Sequence, residues 1–268
     1  MLNMVSEYSW PVSKTLEELL SCERFDKSAI IQRDLSLSQA FCLLWQNDKT
    51  GDVAGRQRPT AMSHTACAAV LLDLHVLEKV DFEKEIKQWM DRRRQVISVQ
   101  VKDATMTSSY LDKALFSDIV KYHNNSMGRK KTTVEWIIQG SHERENSATA
   151  VLDSLVRRGI LGRESMLFGR KYPTLNSDPE KKLIDEIREV VLKNQPADSF
   201  TWTLLKLVYE ADCCSSKKAR VLSRYFSADE FQGAQEVIKA LVTVPVEDSL
   251  IASPDAESLE SFELKVVE

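Results

Sequence analysis

The side chains best equipped for chemistry in this chain are four histidines, five cysteines and 40 acidic residues among 268. His64, His75, His123 and His142 are scattered, and none sits with a Cys, His or carboxylate at the spacing of a metal site. Each reads as a surface or satisfied core histidine. Cys42 and Cys67 fall inside apolar helical patterns, where a thiol behaves as a small hydrophobe. Cys213 and Cys214 are neighbours and cannot make a CxxC pair, so with Cys22 the usage fits a reducing compartment. Glu17–Glu18 and Asp185–Glu186 are adjacent carboxylates that point apart on helices. The chain carries no GxGxxG, Walker loop, HExxH or GxSxG. These residues predict no catalytic group, no metal and no cofactor.

A different chemistry is written at 163–171. Met166, Leu167 and Phe168 stand in a row, flanked by Arg163, Arg170 and Lys171. If both faces were covered this would be ordinary core. If the tip is exposed, an apolar wedge with basic shoulders is what a peripheral membrane anchor needs. Burial of each large apolar side chain is worth about 1.5–3 kcal/mol, and each basic residue near an anionic leaflet about 1 kcal/mol. Partial insertion therefore gives roughly micromolar, reversible attachment. Two other readings use the same unit. ATAVLDSLVRRGIL followed by GRESMLFGRKYP looks like a winged helix, whose wing would touch nucleic-acid phosphates. A net charge of −4 and the apolar wedge weigh against nucleic acid as a partner. The remaining reading is a lipid-independent scaffold whose acidic tail recruits basic partners.

The elements that must position this hairpin follow from periodicity. Leu37, Phe41, Leu44 and Trp45 share one face of a helix over 35–45 capped by Ser36 or Asp34, and 52–62 is a polar loop carrying Arg56 and Arg58. Residues 66–74 form an all-round apolar, central helix. Alternation over 76–82 and 96–101 predicts two strands around a charged excursion, 83–94. A helix follows from Thr107 or Ser108 to Tyr122, and another over 134–139 is ended by Gly140. Asn146 to Arg158 is helical with Gly159 as its C′ residue; Asp178 caps the next helix with Pro179 at its first position. Helices over 200–211, 217–226 and 228–242 complete the domain. The basic runs Arg92–Arg94 and Arg129–Lys131 read as solvated ends of elements.

With 43% apolar and 28% charged residues and only 8 Gly and 7 Pro, the chain can bury a full core and is not a turn-rich β-sandwich. No run reaches the ~18 apolar residues of a membrane span, and no signal peptide is visible at the start, so the chain reads as soluble and cytoplasmic. The expected architecture is mostly α: a single compact helical domain over 34–242 with small β-hairpins, one of them an exposed apolar hairpin. An N-terminal arm, 1–33, precedes it. An acidic tail, 243–268, follows and reads as disordered, with seven acidic residues against one lysine from Pro245 onward.

Seven ordered segments, LSLSQAFCLLWQNDKTG (35–51), TACAAVLLDLHVLEKV (65–80), VISVQVKDATMTSSYLDKAL (96–115), TTVEWIIQGSH (132–142), AVLDSLVRRGILGRESMLF (150–168), YPTLNSDPEKKLIDEIREVVL (172–192) and TLLKLVYEADC (203–213), together resemble the Golgi phosphoprotein 3 family. The resemblance implies a mostly helical, non-enzymatic protein on the cytosolic face of the Golgi, exchanging with cytosol. It further implies recognition of phosphatidylinositol 4-phosphate through a Trp and several Arg, and insertion of an apolar hairpin, here Met166, Leu167 and Phe168. Partners implied are a phosphoinositide-containing membrane, the vesicle coat and the cytoplasmic tails of Golgi enzymes. The chain departs from the family at the headgroup site: the family's Trp falls near Arg56, one Arg on Thr65, and a pair of Arg on Glu145 and Ala148. Arg56, Arg58 and Arg144 lie close by and are the expected replacements, since a phosphate needs charge-assisted donors rather than one fixed residue. The family's N-terminal arginine cluster is dispersed here as Lys14, Arg24, Lys27 and Arg33. The chain reads as a divergent member.

Overall fold

A computed structural model describes residues 2–56, 60–89, 92–142, 146–166, 169–216 and 220–243. Among them are ten α-helices and two separate antiparallel two-stranded sheets, so the fold is mostly α, as the periodicity predicts. The helix Ala61–Val76 (α4) is its axis: all sixteen residues are buried. Thr60 and Ser63 cap it reciprocally, and the small residues Ala66, Cys67, Ala68 and Ala69 let neighbours approach on every side. Packed around it are Leu2–Leu20 (α1), Leu37–Trp45 (α3), Thr133–His142 (α6), Ser147–Arg157 (α7) and Ser199–Cys213 (α9). The helix α3 is buried along its whole length, with a Ser36–Gln39 capping box. Its first N–H groups, of Leu37 and Ser38, donate at 2.9 and 3.0 Å to the Asp73 carboxylate of α4, a charge placed where the helix dipole favours it.

Several sequence expectations change here. Residues before 34, read as a loosely attached arm, include α1, whose Val12, Leu16 and Leu19 enter the core, and the short helix Lys27–Ile31 (α2). The last turn of α1 is tied in by Lys206, itself 2% exposed, whose ammonium contacts Glu18 at 2.7 Å and the Val242 carbonyl at 3.0 Å. The supposed excursion at 83–94 lies largely within the ladder itself: Val80–Trp89 (β1) and Arg92–Val101 (β2) pair from Val80↔Val101 to Trp89↔Arg92. Charged residues hid the extent of these strands because residues 81–86 of β1 are exposed or half-buried, whereas Val80, Ile97 and Val99 are buried. Gly140 does not end α6, which continues to His142. That glycine is needed for packing, since a Cβ there would stand 2.5 Å from Cys67 Sγ and 2.7 Å from Ser147 Oγ.

Downstream, Asp112–Phe116 runs as a π-turn into Ser117–Asn125 (α5). In Asp178–Lys193 (α8) the N-cap position is Ser177 rather than Asp178, and it makes no side-chain capping bond. The helix expected over 217–226 is, among the described residues, a single turn at Leu222–Arg224. Asp212 organises it by accepting from the N–H groups of Val221 and Leu222 at 2.7 and 2.8 Å. Ala228–Val242 (α10) closes the domain under a Ser227–Glu230 capping box. The acidic tail beyond 243 lies outside the described residues. Two histidines differ from each other: His75 bonds the Val80 carbonyl at 3.1 Å, whereas His64 is fully buried with neither ring nitrogen partnered among the described residues. Burial, with help from His142, pushes His64 down to about 4 and keeps it neutral.

Candidate functional site

The helix α7 and the hairpin after it form one corner of the molecule. Asn146 caps α7: its carbonyl oxygen accepts from Thr149 N–H at 3.0 Å while its amide donates to the Arg56 carbonyl at 2.7 Å. The helix ends at Gly159 (φ +71°), after which Ile160 N–H returns to the Leu155 carbonyl. Glu164–Met166 (β3) then pairs with Gly169–Lys171 (β4) in the register Glu164↔Lys171, Ser165↔Arg170, Met166↔Gly169. The base is clamped: Gly162 N–H donates to Pro173 O, and Tyr172 N–H donates to Gly51 O, both at 2.7 Å. Gly51 (φ +69°) admits this approach only because it has no Cβ, which would lie 2.9 Å from Pro173 N.

The hairpin stands free of the core. Glu164, Ser165 and Met166 are all exposed, Met166 at 52%. Leu167 and Phe168, which complete the apolar tip in sequence, lie outside the described residues. Leu175 was not anticipated: at 68% exposure it adds apolar surface near the hairpin base, close to Gly162. No periodicity marked it, because it lies in a loop.

Each basic shoulder has a carboxylate beside it. Asp153 on α7 lies 3.7 Å from Arg163 and 3.9 Å from Arg170, and accepts from the Tyr172 hydroxyl at 3.2 Å. Lys171 lies 3.6 Å from Asp52. The sequence showed three cations around the wedge but not the acids that fold back on them. Separations beyond hydrogen-bonding distance make these loose pairs that another anion can replace.

Arg56 behaves differently. It is 5% exposed, donates to Thr149 Oγ1 at 2.8 Å, and its guanidinium stacks 5.5 Å from the Tyr172 ring. As a headgroup donor it is therefore spent inside the fold. Thr65 and Ala148, where the family's arginines would fall, are buried as well. Arg58 and Arg144 lie outside the described residues. The winged-helix reading fails on α7, whose residues 147–152, 154 and 155 are all buried, leaving no recognition face for a nucleic-acid groove.

The Golgi phosphoprotein 3 (GPP34) family model matches residues 37–243. The chain belongs to the Golgi phosphoprotein 3 family. No curated protein matches it. For this Golgi phosphoprotein 3 family member, membership supports a role of the Golgi phosphoprotein 3 kind in general terms, together with association with the Golgi. Among the described residues no helix is long and apolar enough to cross a membrane, and no group of three or more His, Cys, Asp or Glu could hold a metal.

Proposed function

We propose that this Golgi phosphoprotein 3 family member is a non-enzymatic, phosphoinositide-dependent peripheral membrane adaptor on the cytosolic face of the Golgi. The observation that carries the reading is the β3–β4 hairpin, which holds Met166 half in solvent beyond a base clamped by Gly51, Tyr172 and Pro173. An apolar tip on a rigid base enters a bilayer without unfolding anything, so its transfer free energy goes into attachment. Arg163, Arg170 and Lys171 exchange Asp153 and Asp52 for lipid phosphates as the tip enters. The lipid is phosphatidylinositol 4-phosphate by family resemblance, and the adaptor role toward coat and enzyme tails rests on the same resemblance. Because Arg56 is engaged internally, headgroup contacts fall to the hairpin base, with Arg58 and Arg144 as the further donors.

Vesicle flotation tests this. The protein floats with vesicles carrying phosphatidylinositol 4-phosphate at physiological salt, and less with phosphatidylserine at matched charge. Replacing Leu167 and Phe168 by Asp abolishes flotation while the thermal unfolding midpoint stays put. Flotation that survives the double substitution sinks the hairpin as the anchor. Absence of flotation on every membrane leaves the fold as a lipid-independent scaffold.

A further inference from the structure

A groove of ≈130 Å³ opens between β2, α5 and the loop joining α5 to α6. Val99, Val101, Tyr122, His123, Arg129 and Trp136 line it. Trp136 is 1% exposed, yet its indole N–H has no acceptor among the described residues. A buried tryptophan normally satisfies that donor, and leaving it unmade is costly. Trp136 itself is one of the residues that line the groove.

The charge around it favours an anion. The Lys131 ammonium sits 4.6 Å from the centroids of both Tyr122 and Trp136, two rings set edge-to-face at 5.7 Å, and donates to Gln139 Oε1 at 2.8 Å. Arg129 is exposed at the mouth and forms no ion pair among the described residues. Lys130 is already held by Glu83 and Glu85. Of the basic run at 129–131, only one residue is therefore a freely solvated cation.

The backbone supplies the third element. On the edge of β2 away from β1, Val99 N–H donates to Lys131 O at 3.0 Å and Ser98 bridges to Thr132. Beyond that bridge the edge continues at Gln100 and Val101 as a wall of the groove. An extended chain laid there continues the ladder, as in strand addition. The volume suits one acidic side chain, well short of the 300–1,000 Å³ of a drug-sized ligand site.

We propose that this groove docks an extended acidic peptide of a partner protein, one carboxylate bonding to the Trp136 indole N–H and the Arg129 guanidinium while the backbone follows β2. The site shares no residue with the membrane hairpin, so either reading can fail without the other.

The test is fluorescence anisotropy of the full chain with a labelled ten-residue peptide of alternating Glu and Val. A Lys–Val peptide of the same length and free acetate serve as comparisons. The Glu–Val peptide is expected to bind at least tenfold tighter than the Lys–Val peptide. Trp136→Phe keeps an aromatic ring beside Lys131 and removes the N–H together with part of the indole; it weakens binding about fivefold or more, and the unfolding midpoint is followed in parallel because the smaller ring leaves a cavity in a buried position. Arg129→Glu weakens it at least tenfold, and both variants float with vesicles as before. Equal binding of the two peptides, or an undiminished Trp136→Phe variant, overturns the proposal. Acetate that competes as well as the peptide also overturns it, by reducing the site to a small-anion hole.

Discussion

Two arginine settings meet at Tyr172 and behave in opposite ways. On one side Arg56 is sealed in, its guanidinium shared between Thr149 and the tyrosine ring. On the other, Arg163 and Arg170 reach toward Asp153 from beyond hydrogen-bonding distance, their side chains 51% and 31% exposed. The sealed arginine supports the corner, while the open ones can change partners. Under the proposed function, this moves anion contact from the inner loop to the hairpin.

The largest effect that sharpens this contrast is at the tip. Met166→Asp is expected to lower vesicle partitioning by about 10- to 150-fold, the loss of one inserted apolar side chain, with an unchanged unfolding curve. Arg56→Ala should do the reverse, removing about 1–3 kcal/mol of stability through lost packing, read as a lower urea midpoint. Loss of lipid selectivity by Arg56→Ala at unchanged stability would break the comparison. Close behind is Gly140→Ala, whose methyl has no room beside Cys67 and Ser147; overpacking of about 1–2 kcal/mol should appear in the same titration.

A smaller, pH-dependent effect separates buried from open acids. Burial, reinforced by Asp48, raises Glu180 to about 7. The folded chain therefore holds a proton that the unfolded chain releases from about pH 4.5 upward, and this group's contribution to stability declines as pH climbs toward 7. Glu180→Gln should flatten that decline between about pH 4.5 and 7; Asp212, raised to about 6 by burial, keeps part of the slope in place. Smallest of all, Lys171→Ala breaks only the exposed pair with Asp52 and should change the urea midpoint by less than about 0.5 kcal/mol.

Much of this architecture was legible in residue patterns. Apolar residues at helical spacing gave α3, α7, α8 and α10, and the unbroken apolar run in α4 gave a central helix because a helix with no polar face has to be surrounded. Gly159 and the Met166–Phe168 run located the hairpin. What stayed hidden had physical reasons. The packed face of α1 interleaves with polar residues, whose partners in the core, Lys206 for Glu18 and Thr133 for Ser13, are distant in sequence. Residues 81–86 of β1 are mostly charged because that stretch is largely exposed. Asp153 gave no sign that it would face Arg163 and Arg170, since that pairing depends on how the chain turns back after Gly159. The burial of Arg56 was equally invisible, because a polar loop reads as solvated until Asn146 and Thr149 are seen to hold it.

The clasp at Lys206 also sets an order of events during synthesis. Trp202 and Arg24 donate to the Leu241 carbonyl, and Lys206 joins Val242 to Glu18, so part of the packing around α1 comes from residues translated long after it. From Leu16 to Lys206 the ribosome adds 206 − 16 = 190 residues, about 10–40 s at ~5–20 residues per second. For that interval α1 can pack on α4 and α6 but lacks α9, and a nascent-chain chaperone that grips its open face would be released when α9 arrives.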